Sequence, residues 1–136
     1  MNNLNDLFNS EFTNLYTLEK ECAEIFESVQ VEIEDQDLMQ IAIELAEESK
    51  KQFNLLQEAL RKKNINPGNT TDSVAQEMIE NIKESASQQI PQEVKDEGLL
   101  ASFNRMSYYR IACYENTYEL AVKLGHDDLK ELFYYE

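Results

Sequence analysis

The apolar residues of this chain recur at steps of three and four, the spacing that places side chains on one face of an α-helix. The pattern predicts three long helices over residues 4–33, 37–63 and 92–124, and two short ones over residues 72–87 and 127–136. Long helices joined by short loops are typical of an up-and-down helical bundle. We therefore expect an all-α fold in which residues 1–136 form one domain, with a short extra helix and a truncated last helix.

Charged residues interrupt the apolar stripes of all three long helices. Arg110 lies within the stripe of the last long helix, and Glu19 lies one heptad from both Phe12 and Phe26. The predicted inward positions of the second helix are Leu38, Ile41, Leu45, Glu48, Gln52, Leu55, Leu56 and Ala59. Because an unpaired buried charge costs several kcal/mol or more, these ionisable residues are expected to meet. The pattern predicts a polar centre inside the bundle.

The charge balance excludes some classes of partner. The formal net charge is −15, which argues against nucleic acid and anionic membranes, because both favour Lys and Arg.

No stretch approaches the run of about 18 apolar residues that a transmembrane helix needs. The N-terminus also lacks the basic start and apolar run of a signal peptide. We therefore expect a cytoplasmic protein.

The cysteines and the histidine offer little support for catalysis. Cys22 and Cys113 both lie on apolar stripes, which predicts packed thiols in a reducing compartment. A disulfide or redox role is the alternative, but the chain has no Cys-x-x-Cys motif. His126, the only histidine, follows Gly125 at a helix end and is interpreted as a linker residue rather than a ligand. A Cys-His or Ser-His catalytic pair is therefore not expected.

Several segments, in their order and spacing, resemble one known family. They are Leu4-Asn5-Asp6-Leu7-Phe8, Leu15-Tyr16-Thr17-Leu18-Glu19-Lys20, Leu45-Ala46-Glu47-Glu48-Ser49, Val94-Lys95-Asp96-Glu97-Gly98-Leu99-Leu100-Ala101, Tyr109-Arg110-Ile111-Ala112-Cys113-Tyr114 and Leu120-Ala121-Val122-Lys123-Leu124-Gly125. The resemblance extends over almost the whole chain. The chain resembles the ferritin-like bacterial stress proteins of the YciE/YciF type, a family of largely unknown function.

The resemblance implies a bundle with a carboxylate-rich metal site, to which acidic residues and Glu-x-x-His pairs contribute. Glu19 and Glu48 occupy two of the acidic positions, and Gln52 stands where a nitrogen ligand is usual. The family's Glu-His-Tyr-Glu stretch is replaced by Ser107-Tyr108-Tyr109-Arg110. The family's last helix continues into a Leu-Glu-Glu-Glu segment, whereas this sequence ends at Phe133-Tyr134-Tyr135-Glu136. At most two of the expected carboxylates are present.

These replacements favour loss of the metal. Two dications need several anionic oxygens, and Arg110 would repel them. A guanidinium between Glu19 and Glu48 could satisfy both carboxylates through forked hydrogen bonds. We therefore predict no cofactor and a structural or interaction module. The alternatives are an iron or manganese site of unusual composition in a di-metal protein or oxidoreductase, a small-ligand pocket, or a different helix phase that leaves Arg110 in solvent.

The short last helix predicts self-association. At 1.5 Å per residue, about ten residues reach only about 15 Å along helices of about 45 Å. Much of the apolar stripe of the long helix over residues 92–124 would then face water, and such surfaces usually mark interfaces. We expect a homodimer that uses the side of this helix carrying Tyr108, Tyr109, Tyr114 and Tyr118. The helix over residues 72–87 is the internal competitor for the same surface.

Overall fold

The computed structural model describes residues 3–68 and 70–134, and within these ranges the chain is an all-α helical bundle, as predicted. The helices are α1 (Leu4–Ser28), α2 (Gln36–Lys62), α3 (Ser73–Ser87), α4 (Gln92–Lys123) and α5 (Lys130–Phe133). A 3-10 helix, Val29–Glu32, follows α1 directly. The first predicted helix therefore ends in a tighter turn, and the last is reduced to four residues. No helix within the described ranges is both long and apolar enough to cross a lipid bilayer.

Side-chain caps explain where three of the helices begin. The side chains of Asn3 and Asp35 accept hydrogen bonds from the backbone N–H groups of Asp6 and Leu38, at the starts of α1 and α2. Asp72 accepts from two backbone N–H groups in the first turn of α3. Such caps satisfy donors that have no partner within a helix. α4 ends before Gly125, whose φ of +73° is accessible to glycine at no steric cost.

Contacts between helix ends fix the direction of the chain in the bundle. Asp96, in the second turn of α4, accepts hydrogen bonds from the backbone N–H groups of Glu34 and Asp35, just before α2. At the opposite end, Lys63 after α2 forms an ion pair with Asp128 after α4, at 2.6 Å. α2 and α4 therefore run in the same direction, and α1 is antiparallel to both. α1 packs against both helices, while α2 and α4 approach each other little.

One buried cluster joins residues of all five helices. Aromatic rings fill both ends of it: Phe133 packs edge-on against Phe8 and Phe12 at one end, and Phe26 packs edge-on against Phe103 at the other. The ring of His126 stacks on Phe8 with centroids 4.6 Å apart. This position fits the interpretation of His126 as a residue of the connection between α4 and α5.

The predicted core face of α2 is wrong by about one residue. The face that packs on α1 carries Leu38, Ala42, Ala46, Ser49, Leu56 and Leu60, all buried. Of the predicted inward residues, Ile41 is 38% exposed and Leu55 is 45% exposed. The reason is that α2 carries two adjacent apolar stripes, and the one with small side chains allows α1 to approach closely. The stripe that we predicted lies beside this contact and is only partly covered.

The predicted exposure of the α4 stripe is also wrong. Leu99, Phe103, Met106 and Thr117 are buried within a single chain, because α1 and α3 cover them. α5 contributes Phe133, which closes one end of the bundle. The short helix over residues 72–87, the predicted competitor, therefore protects much of the surface that we assigned to a partner.

The tyrosines of α4 do not form one exposed surface. Tyr108 is 73% exposed, but Tyr114 is fully buried. Tyr109 donates a hydrogen bond to Asp72 at the start of α3, and Tyr118 packs edge-on against Tyr134. The predicted contact surface on this side of α4 is therefore corrected. A homodimer stays a prediction that needs another surface.

Asp72 ties three helices together at one point. It caps α3 through the backbone N–H groups of Val74 and Ala75, and it accepts hydrogen bonds from Asn14 of α1 and Tyr109 of α4. Burial raises the pKa of Asp72, whereas these hydrogen bonds lower it. The hydrogen bonds together have the larger effect, so the net pKa of Asp72 lies below its ordinary value. The ionised carboxylate is therefore the form that holds α3 in place.

Replacing Asp72 with alanine should lower the free energy of unfolding by about 1–2 kcal/mol, because the α3 cap and two contacts between helices are lost. Urea unfolding at pH 7 measures this change, and Glu77→Ala, an exposed change within α3, should stay within about 0.5 kcal/mol of wild type. Because the folded pKa is lowered, the contribution of Asp72 is present at neutral pH and is lost as the pH falls through the folded pKa. The difference between Asp72→Ala and wild type should therefore shrink in acid. An undiminished difference at pH 3 would contradict this account.

Candidate functional site

The centre of the bundle contains a buried, bidentate ion pair. Arg110 of α4 donates from Nε and Nη2 to the two carboxylate oxygens of Glu19 of α1, and both N···O distances are 2.9 Å. Neither side chain is exposed to solvent. Two parallel, charge-assisted hydrogen bonds are the geometry in which a guanidinium binds a carboxylate most strongly. The two residues that interrupt the stripes of α1 and α4 are therefore brought together, as the pattern of charges predicted.

Tyr114 extends this pair into a network that the sequence analysis did not identify. Its hydroxyl donates to Glu19 Oε2 at 2.5 Å and accepts from Gln52 Nε2 at 3.2 Å. The sequence analysis places Tyr114 only at the contact surface of a homodimer. Its position four residues after Arg110 places both side chains on one face of α4, and that spacing could have revealed it. The network thus joins α1, α2 and α4.

Glu48 is a more distant member than we expected. Its carboxylate lies 3.7 Å from Arg110 Nη2, a distance for an ion pair rather than a hydrogen bond, and its side chain is 42% exposed. We predict that Arg110 hydrogen-bonds Glu19, Glu48 or both inside the bundle, and the structure has the first of these, since both forks of the guanidinium go to Glu19. The reason is the helix phase, since Glu48 belongs to the partly covered stripe of α2.

Ser107, one turn before Arg110, is half-buried.

The electrostatics of the network favour fixed protonation states. Burial lowers the pKa of Arg110, but its hydrogen bonds and attraction to Glu19 outweigh that effect and raise the pKa above its ordinary value. Burial and the negative charge of Glu19 raise the pKa of Tyr114 well above the usual range for a phenol. Both groups therefore keep their protons at neutral pH. A catalytic acid or base needs a pKa near the working pH, and neither group meets that requirement.

The two cysteines are buried, free thiols, as the apolar stripes predicted. Burial raises the pKa of Cys113 to about 11 and that of Cys22 above the usual range. Because the thiolate is the reactive form, neither cysteine is activated as a nucleophile. Neither thiol therefore supplies a reactive thiolate next to the polar centre.

Donors from the protein itself occupy the carboxylate that the resemblance assigns to a metal. Three donors already bind the carboxylate of Glu19, and the guanidinium of Arg110 places a positive charge at the same point. Across the described ranges, no group of three or more His, Cys, Asp or Glu residues is arranged to hold a metal ion. A surface hollow of about 730 Å³, lined by Glu34, Asp35, Glu93 and Asp96 among others, lies at the turn between α1 and α2 and not at this network.

Comparison with protein families gives a match along nearly the whole chain. Residues 3–134 match the model of a domain of unknown function, DUF892. The chain belongs to this family. Among curated proteins, none matches the chain.

Two solved structures share the fold, with 22% sequence identity in each case. The stress protein YciF of E. coli superposes with a TM-score of 0.90, covering 98% of this chain and 84% of that one. YcfI from Rhodopseudomonas palustris, described as a candidate structural protein, also gives a TM-score of 0.90 and covers 98% of this chain and 85% of its own. The predicted relationship to the YciE/YciF-type proteins is confirmed, and so is the helical-bundle fold.

Replacing Arg110 with alanine should destabilise the protein by about 3–5 kcal/mol, because Glu19 is then left as a buried charge without its main partner. Urea or thermal unfolding measures this loss. Arg105→Ala provides the matched control, since Arg105 is exposed on the same helix. Adding Glu19→Gln and Glu48→Gln to Arg110→Ala should recover part of the loss, because the uncompensated charges are removed. An Arg110→Ala protein that melts like wild type would contradict the buried ion pair.

Proposed function

We propose that this chain is a metal-free, non-catalytic member of its family that acts as a structural or interaction module. One observation carries the proposal: the guanidinium of Arg110 occupies the centre of the bundle and binds both oxygens of Glu19. The resemblance described above implies a metal site at these positions. A single arginine there supplies the positive charge that would otherwise come from metal ions.

The residues present do not suit the metal that the resemblance implies. A dinuclear iron or manganese site needs several anionic oxygens from different helices. Here Glu19 is fully engaged, Glu48 is partly exposed, and Gln52 donates its amide to Tyr114. Ser107 and Arg110 replace the acidic side chains of the family's helix motif. Bringing in two dications would therefore require breaking the ion pair and leaving Arg110 without its partner.

The comparisons support a structural role without assigning one. One of the two neighbours is named a stress protein and the other a candidate structural protein, and the family has no established function. A module of this kind works through its surface and its stability, so we also propose that it self-associates. The two reduced, buried thiols agree with a reducing compartment such as the cytoplasm. The runner-up proposal is a di-metal protein or oxidoreductase with an unusual ligand set, and metal content separates the two.

The purified protein should contain no stoichiometric iron, manganese or zinc, because the centre is already neutralised by Arg110. Elemental analysis of protein purified without chelators, and again after incubation with Fe²⁺ or Mn²⁺, checks this prediction. Added metal should also leave the melting temperature unchanged, because a metal that does not bind the folded protein cannot stabilise it. One or more tightly bound ions per chain would overturn the proposed function and favour the di-metal alternative.

Ser107→Glu combined with Arg110→Glu should create a site that binds divalent metal more tightly than wild type. The two changes remove the cation and add carboxylates to those of Glu19 and Glu48. Without metal this variant should be less stable than wild type, because several carboxylates then repel each other in a buried place. Manganese at a concentration 100 times the dissociation constant would restore about 2.7 kcal/mol. Thermal melts with and without Mn²⁺ measure the gain; Ser107→Gln with Arg110→Gln, which adds no charge, is the control.

A further inference from the structure

The start of α3 carries a second cluster of chemically active side chains, which shares no residue with the central network. Tyr109 of α4 donates a hydrogen bond to Asp72 Oδ2. The thiol of Cys113, one turn after Tyr109, lies within hydrogen-bonding reach of the same phenol. A hollow of about 420 Å³ opens beside these three side chains, and Glu11 and Asn14 of α1 also line it. A phenol, a thiol and a carboxylate thus meet where a small molecule can reach them.

The hydrogen bond between Tyr109 and Asp72 has the direction that one-electron oxidation of a phenol requires. An oxidised phenol is a far stronger acid than the phenol itself, so the electron leaves readily only if a base takes the proton in the same step. A carboxylate that already accepts the phenolic hydrogen bond is such a base. Its hydrogen bonds hold the pKa of Asp72 below the ordinary value, so Asp72 is ionised at neutral pH. Asp72 can therefore accept the proton without any rearrangement of side chains.

The two carboxylate oxygens of Asp72 divide their roles. Oδ1 accepts the backbone N–H groups of Val74 and Ala75 and so caps α3. Oδ2 accepts from Tyr109 and from Asn14. A proton that arrives from Tyr109 therefore binds Oδ2 and leaves Oδ1 as a hydrogen-bond acceptor. α3 keeps its cap, although a neutral acid holds the cap less strongly than a carboxylate does.

Tyr114 also donates to a carboxylate, but it is less suited to oxidation. Proton transfer to Glu19 would neutralise the partner of Arg110 and leave a buried guanidinium without its counter-charge, which is strongly unfavourable. The donors that bind Asp72, by contrast, are neutral: a phenol, an amide side chain and two backbone N–H groups. Tyr114 is also fully buried, whereas Tyr109 borders the open hollow.

We propose that Tyr109 is a one-electron donor that reduces small, neutral or cationic oxidising radicals in this hollow, with Asp72 as the proton acceptor. One electron passes from the phenol to the oxidant, the phenolic O–H bond breaks, and its proton forms an O–H bond at Asp72 Oδ2. The products are the oxidant reduced by one electron, a neutral phenoxyl radical and a carboxylic acid. The carboxylates of Glu11 and Asp72 disfavour anionic oxidants. This activity is additional to the structural role put forward above and needs no metal.

Flash oxidation with photogenerated tris(bipyridine)ruthenium(III), a cationic one-electron oxidant, tests the donor. The recovery of ruthenium(II) with the full chain in excess gives the rate, and electron paramagnetic resonance of frozen samples identifies the phenoxyl radical. Tyr109→Phe should slow the reaction about tenfold or more, because the remaining tyrosines lack a base that can take the proton as easily. Tyr108→Phe, which removes a neighbouring phenol that is 73% exposed, is the matched control. It should change the rate by less than about twofold.

Asp72→Asn tests the proton acceptor. Asparagine keeps an oxygen that can cap α3 but loses the carboxylate, so the rate should fall about tenfold or more at neutral pH. The wild-type rate should be independent of pH between about pH 6 and 9, since Asp72 stays ionised, whereas the variant should speed up as hydroxide becomes the base. The wild-type reaction should also slow in heavy water, because the proton moves with the electron. Far-ultraviolet circular dichroism checks that the variants keep the helical bundle.

The opposite results overturn the proposal. A wild-type rate in Tyr109→Phe shows that another group supplies the electron, and loss of the reaction in Cys113→Ala but not in Tyr109→Phe identifies the thiol as that group. A wild-type rate in Asp72→Asn removes the role of the carboxylate. If Asp72→Asn does not fold, the comparison of wild type with Tyr109→Phe, the pH profile and the heavy-water effect still decide. Refutation here leaves the metal-free centre untouched, because metal content is measured separately.

Discussion

The bidentate pair between Arg110 and Glu19 is the constraint on which the rest of the bundle depends. Both residues are fully buried, so neither can be accommodated in the core unless the other is present. Their contact sets the rotation of α4 against α1. That rotation in turn brings Tyr114 over Glu19 and within reach of Gln52 on α2. A core of aliphatic residues could be as stable, but it would not direct Arg110 of α4 toward Glu19 of α1 through two hydrogen bonds.

The sequence predicts the core positions of α1 and α4 well, because the residues of both predicted stripes recur at helical spacing and are mostly buried. On α1, Phe8, Phe12, Leu15 and Phe26 occur at helical spacing and are buried as expected. α2 differs, since apolar residues occupy two neighbouring stripes and periodicity alone does not say which one packs on α1. Close approach decides it, and this depends on Ala42, Ala46 and Ser49, whose small size carries no hydrophobic signal.

The candidate site was predictable in its charges but not in its hydrogen bonds. An arginine and a glutamate that interrupt apolar stripes must find partners in the core, so Arg110 and Glu19 could be paired from their positions alone. Whether Glu48 shares the guanidinium depends on a rotation of α2 by about one residue, which is finer than a stripe can define. Tyr114 was overlooked because tyrosine is common both in cores and at interfaces. Its position on the same face as Arg110 carries information only once Arg110 is known to be buried.

The hydroxyl of Tyr114 determines which groups of the network donate hydrogen bonds and which accept them. A phenol has a single proton, and Tyr114 donates it to Glu19, so the oxygen can only accept from Gln52. The amide of Gln52 must therefore present its NH2 group inward and its carbonyl outward. A carboxylate at position 52 would place an oxygen lone pair against the lone pair of the Tyr114 oxygen. A protonated carboxylic acid could donate there only by using its single proton. The amide at position 52 therefore suits a phenol oxygen whose own proton is donated to Glu19.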